Sequence, residues 1–351
     1  MKKREVGMDL VRSVAVIFVI SVHYFLNNGF YSKNMTSSSM FLAGCARWLF
    51  FTSVPLFLLI TGYLRGEDRP TKKYYCGIVK ILTSWLIISV ISIYFWNYFD
   101  GIEKSFIGWV AHVLDYKSAN YSWYVEMYVG LFLILPYMNL AFHSIETRKG
   151  HNLMVGSICG MIFLPSVVNG WIVGGVTLNI IPNYWTSLYP FGFYLIGCYI
   201  RKYRPKIPAW YCLGMALLLC LFKGTLTYIT AEGKWFGDGL GGGYSDLFVA
   251  ATSVFIFLGL YRFGEKGNVG KVPARILRFV STLTLETYLI SWVFDRFFYG
   301  EFKKYMVPGT YLEYYIKVCI PIMVLSVLAA YPISWVSGKI AKLFKRIVHV
   351  N

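Results

Sequence analysis

Apolar positions gather in about ten runs, each close to the length that crosses a bilayer as a helix. The first is Met8–Asn27. The next three are roughly Ala46–Leu64, Ile78–Phe99 and Tyr121–Phe142. Two shorter runs follow, near Leu153–Val168 and Thr186–Ile200. The last four are about Ala209–Ile229, Tyr244–Tyr261, Phe279–Phe298 and Tyr314–Val336. Pro136, Pro165, Pro190 and Pro321 fall in or beside these runs, where kinked or broken helices are expected. The pattern predicts an all-α, polytopic membrane protein of about ten transmembrane helices. No internal repeat or low-complexity segment divides it, so residues 1–351 read as one integral-membrane domain.

Composition agrees. Hydrophobic residues make up 57% and charged residues 15%, with mean hydropathy +0.54; soluble domains carry about 25% charged residues. The net charge of +17 would suggest a nucleic-acid partner in a soluble protein. Here the cations cluster in short segments on one side of the predicted helices. With the N-terminus inside, these are Lys2, Lys3 and Arg4; Arg65, Arg69, Lys72, Lys73 and Lys80; Arg148 and Lys149; Arg201, Lys202, Arg204 and Lys206; Arg262, Lys266, Lys271, Arg275 and Arg278; and Lys339, Lys342, Lys345 and Arg346. They include most of the 34 Lys and Arg, and by the positive-inside rule they place both termini in the cytoplasm. No nucleic-acid partner is expected. The opposite loops, 170–185 and 230–246, are longer and rich in Gly and aromatics, which first serve as interface anchors and could also stack on sugar rings. The seven Cys form no CxxC or Cys/His cluster, so no metal and no disulfide framework is expected. The first run is too long, and too charged, for a cleaved signal peptide.

The candidate chemistry sits in that first run, MDLVRSVAVIFVISVHYFLN. Arg12 and His23 are eleven positions apart, about 20° beyond three full turns, so their side chains leave one helix face roughly 16 Å apart along the axis. Ionisable groups at membrane depth are costly and tend to mark sites. A snorkelling Arg and a packing His are the plain alternatives. A neutral imidazole suits a general base toward an alcohol, and fixed guanidinium and ammonium groups suit phosphates. Asp9 lies three positions before Arg12 and could orient it. Glu126 is a second carboxylate inside a run, equally readable as a structural Glu. Glu286 and Lys223 are less specific.

The stretch MDLVRSVAVIFVISVHYF resembles the first helix of the acyltransferase-3 family of bacterial membrane acyltransferases, which carries Arg, ten residues, then His. SVPLFLLITGYLR (53–65), WYVEMYVGLFLILP (123–136) and STLTLETYLISWVF (281–294) are similar to further family stretches in the same order, and FYLIGCYI (193–200) is a weaker match. One departure is Ser291, which stands where many members have His. Some members also carry an extracytoplasmic hydrolase-like domain, which this sequence is not expected to have.

The resemblance implies transfer of an acyl group, usually acetyl, from cytoplasmic acyl-CoA (acetyl-CoA) to a hydroxyl of an extracytoplasmic or lipid-linked glycan, in the bacterial cytoplasmic membrane. On that reading His23 is the catalytic base or briefly carries the acyl group, and Glu126 orients it or binds substrate. Arg12, with Arg65, Lys72 and Lys73, binds the CoA phosphates. The expected partners are acyl-CoA, the glycan acceptor and the lipid bilayer. Two other classes stay open: a translocator of a small solute or amino acid, related to the membrane half of vancomycin-resistance serine racemases, and a structural module for an envelope enzyme.

Overall fold

A computed structural model describes residues 5–231, 233–237, 242–265, 269–307 and 310–349. Lys2, Lys3, Arg4 and Lys266 therefore lie outside the described residues. The fold is helical. Its helices are α1 (Val6–Asn27), α2 (Ser38–Phe51), α3 (Ser53–Arg65), α4 (Lys72–Tyr75), α5 (Val79–Asp100), α6 (Phe106–Leu114), α7 (Trp123–His143), α8 (Arg148–Phe163), α9 (Pro165–Val168), α10 (Tyr189–Tyr203), α11 (Ala209–Ala231), α12 (Leu247–Glu265), α13 (Lys271–Thr282), α14 (Thr284–Phe302) and α15 (Tyr311–Ile347). The sheet among the described residues is a hairpin of β1 (Ile172–Val173) and β2 (Val176–Thr177). Gly174 and Gly175 turn it, with φ 58° and 83°, angles at which a Cβ is disfavoured.

Seven helical stretches are long and apolar enough to span a bilayer: Val6–Asn27, Ser38–Arg65, Lys72–Asp100, Trp123–His143, Ala209–Ala231, Leu247–Gly264 and Tyr311–Ile347. The chain is a multi-pass membrane protein. The other three apolar runs fall on α8, α10 and α14, of 16, 15 and 19 residues.

Prolines account for several differences from the apolar pattern. Pro165 ends α8 and starts α9, so the fifth run is split. Pro190 lies in the first turn of α10, where its missing N–H costs nothing. Pro136 lies inside α7, and Pro321 and Pro332 inside α15. The ninth run is divided at Leu283, whose φ/ψ of −111°/6° ends α13.

The chain forms two compact units. The first comprises Met1–Gly66, Ala141–Ser281 and Tyr305–Tyr315. In it α1 packs on α2, α3 and α12, α3 packs on α10, α10 on α8, and α11 on α2 and α12. The second comprises Glu67–Leu140, Thr282–Lys304 and Ile316–Asn351, where α5 packs on α14 and α6. Polar side chains hold its interior. Ser84 donates to buried Glu286 and lies 2.9 Å from Ser337 Oγ. Trp85 donates to Ser122, and Tyr121 to Asp295.

Candidate active site

Helix α1 carries Arg12 and His23 and is fixed at both ends. At its start, Glu5 meets Arg201 of α10 at 3.0 Å and accepts from Tyr63 of α3 at 2.9 Å. Arg201 stacks on the Tyr63 ring, and the Tyr63 hydroxyl lies 2.8 Å from that of Tyr261 on α12. One turn on, buried Asp9 accepts from Ser281 at 2.6 Å. Ser13 donates to the Leu277 carbonyl oxygen. At the far end the Ser21 and Tyr315 hydroxyls are 2.6 Å apart, Tyr24 donates to the Tyr311 carbonyl oxygen, and Tyr311 donates to that of Asn28. These bonds set the rotation and height of α1, and so the placement of both candidate side chains.

Arg12 is half-buried and His23 is buried. The helix is unbroken between them, so the spacing read from the sequence holds: one face, roughly 16 Å apart. Phe18 and Phe25 meet Phe50 of α2, and both lie about 140–160° round the helix from His23. Val16 and Val19 complete the Arg12–His23 stripe and are buried. One stripe of α1 thus carries a cation and an imidazole, joined by buried Val16 and Val19.

The other predicted site residues are distributed as follows. Arg65 lies half-buried in the last turn of α3, in the same unit as Arg12. Lys72 and Lys73 form the exposed first turn of α4, in the second unit. Glu126, also of the second unit, is exposed. Helix α7 begins at Trp123, so Glu126 belongs to its first turn rather than deep in a span, a position where a carboxylate complements the helix dipole. Ser291 is buried, and its hydroxyl donates to the Tyr288 carbonyl oxygen. Glu286 is held by Ser84 and lies 3.6 Å from Lys80. Among the described residues, no group of three or more His, Cys, Asp or Glu is placed to hold a metal ion.

The sequence reading passed over Glu5, Asp246 and Asp295. Asp295 lies within the ninth apolar run, where any carboxylate is conspicuous. Asp246 lies near the start of the eighth run, just before its unbroken apolar stretch, an N-cap signature. Glu5 gives no such signal, because its partners Tyr63 and Arg201 are 58 and 196 residues away.

A family model of an acyltransferase domain, Acyl_transf_3, matches residues 5–333. The chain belongs to the acyltransferase-3 family. The match takes in every helix from α1 to α14 and most of α15, and with them all the candidate site residues. No curated protein and no solved structure gives a significant match. The chain is an acyltransferase, and its reaction moves an acyl group from a donor to an acceptor. The family-like stretches also have visible packing roles. Gly62, in the Thr61–Gly62–Tyr63–Leu64 step, and Gly197, in FYLIGCYI, lie at the crossing of α3 and α10. A Cβ on either would collide with a backbone carbonyl oxygen of the other helix.

Proposed function

We propose that the protein is an O-acyltransferase, most simply an O-acetyltransferase. It takes the acyl group from cytoplasmic acyl-CoA and passes it to a hydroxyl of an extracytoplasmic or lipid-linked glycan. In this reading the chain crosses the bacterial cytoplasmic membrane ten times. The three short helices α8, α10 and α14 complete the seven long ones, and both termini are cytoplasmic. The observation that carries the reading is the α1 stripe: Arg12 near the basic side and buried His23 about three turns away on the same face, in a chain of this family.

The roles follow from side-chain chemistry. Arg12 and Arg65 bind the phosphates of CoA at the cytoplasmic side, the guanidinium groups by paired N–H donors. The thioester end of the donor extends toward His23. The imidazole takes the proton of the acceptor hydroxyl as its oxygen attacks the thioester carbonyl. The C–S bond breaks, and the departing CoA thiolate recovers the proton from the imidazolium.

The test uses purified protein and acetyl-CoA with measurement of released CoA. Turnover that is present in the wild type and lost in His23→Ala supports the reading. A wild-type protein that binds acetyl-CoA without releasing CoA, with or without a saccharide acceptor, sinks it.

A further inference from the structure

A second polar site lies in the first unit, at the end where α1 finishes and α2 and α12 begin. Arg47 of α2 is only 4% exposed. Its guanidinium carbon stands 4.0 Å from the ring centre of Trp48, 4.2 Å from Phe51, 5.3 Å from Tyr31 and 5.2 Å from Phe236. Behind it, Lys223 of α11 also lies over Trp48 and pairs with Asp246 at 2.8 Å. Lys223 and Asp246 are both almost fully buried.

Charge does not balance here. Asp246 answers Lys223, and Arg47 meets no carboxylate among the described residues. Aromatic faces satisfy the flat sides of a guanidinium. They do not satisfy its five in-plane N–H groups. Nε donates to the Tyr31 hydroxyl at 2.8 Å. Among the described residues, buried Nη1 has no hydrogen-bond partner. A buried donor left unmade costs about 1–3 kcal/mol, more when charged. A cation at membrane depth adds to that cost. Packing alone would be served better by an uncharged residue. An oxyanion placed against Nη1 would remove the deficit with charge-assisted hydrogen bonds.

Two of the four rings come from loops. Tyr31 follows α1, and Phe236 lies between α11 and α12. The two loops are joined where Met35 N donates to the Lys234 carbonyl oxygen at 2.8 Å. In the topology proposed above these loops face the extracytoplasmic side, where the acceptor arrives. We propose that Arg47 and its aromatic walls form an acceptor subsite that binds a sugar bearing one oxyanion, a carboxylate or a phosphate. The anion pairs with Arg47, and the sugar ring stacks on half-buried Tyr31. This inference rests on the acyltransferase reading and its orientation.

The test is calorimetric titration of the full chain in nanodiscs with glucuronate, glucose 1-phosphate, glucose and inorganic phosphate. At least one of the two sugar anions binds, and which one identifies the charge as carboxylate or phosphate. Glucose, lacking the anion, does not bind. Inorganic phosphate binds more weakly than the better sugar anion, since it gains no stacking. Arg47→Gln weakens binding about 10- to 100-fold, and Arg47→Lys, which keeps the charge, less. Thermal melting confirms that each variant is folded. Failure of the wild type to bind either sugar anion overturns the proposal whatever the variants do. So does unchanged affinity in Arg47→Gln, or inorganic phosphate binding as tightly as the sugar anion. Release of CoA from acetyl-CoA by the same wild-type preparation separates the two readings. Turnover without anion binding sinks the subsite alone, and anion binding without turnover sinks the transferase reading and with it the acceptor role of the Arg47 site.

Discussion

Gly62 of α3 and Gly197 of α10 touch backbone to backbone. A Cβ added to Gly62 would stand 3.0 Å from the Gly197 Cα and still closer to the Tyr194 carbonyl oxygen. In a bilayer, helices gain little from hydrophobic association, so close approach through small residues does much of the work. The contact also sets the height of Tyr63, one residue on from Gly62, which holds Glu5 at the start of α1.

Gly197→Val is therefore expected to force α3 and α10 apart, at a cost of at least about 1–3 kcal/mol. Melting of the detergent-solubilised protein should shift down, and abundance in the membrane should fall. Gly214, which a Cβ would leave without a contact within 4 Å, is the control. Gly214→Ala should melt like the wild type. Equal melting of Gly197→Val and the wild type would contradict the crossing.

Lys223 and Asp246 give a second stability test. Removing one partner of a buried pair leaves an uncompensated charge, a loss of roughly 3–5 kcal/mol. Lys223→Met should lower the melting temperature strongly. Adding Asp246→Asn should recover much of the loss, because the pair is then neutral and Asn can still cap α12, where Asp246 accepts from the Val249 N–H. A double variant no more stable than Lys223→Met would show that the pair is not the source of the effect.

Topology is directly measurable. Ten crossings with both ends cytoplasmic require reporters fused after Lys33 and Gly242 to read outside, and one after Lys73 to read inside. An inside reading at Gly242 would overturn the arrangement of the later helices, and the extracytoplasmic placement of the Arg47 site with it.

Much of this is legible in the sequence, where the determinants are local. The Arg12–His23 stripe needs only helical periodicity, and α1 is unbroken across it. Most apolar runs become helices within a few residues of their expected ends, because twenty apolar residues have few other solutions in a membrane. What is not legible depends on distant partners or leaves no local signal. The break at Leu283 falls in a run with neither Pro nor Gly. Glu126 looks interior only if α7 starts at Tyr121, two residues before it does. The box around Arg47 joins two loops that lie some two hundred residues apart, and no spacing rule links Tyr31 to Phe236.

Donor binding tests the lower half of the α1 stripe. Arg12→Ala should weaken acetyl-CoA binding by about tenfold or more, the scale of a charge-assisted hydrogen bond, in a protein that still folds. Arg12→Lys should recover part of it, since a point charge lacks the planar fork. Equilibrium binding of labelled acetyl-CoA reads both. Unchanged affinity in Arg12→Ala would leave snorkelling as the account of this residue.

The central claim is that His23 takes a proton during acyl transfer, and one series tests it most directly. CoA release from acetyl-CoA is measured for wild type, His23→Ala and His23→Gln, at equal amounts of folded protein. Loss of one general base costs about 100- to 10,000-fold in rate. Glutamine keeps a hydrogen-bonding group but cannot take the proton. The account predicts that both variants fold and that both fall by at least about two orders of magnitude. Near-wild-type turnover in His23→Gln, with His23→Ala lowering only the amount of folded protein, would make His23 a packing residue and contradict the account.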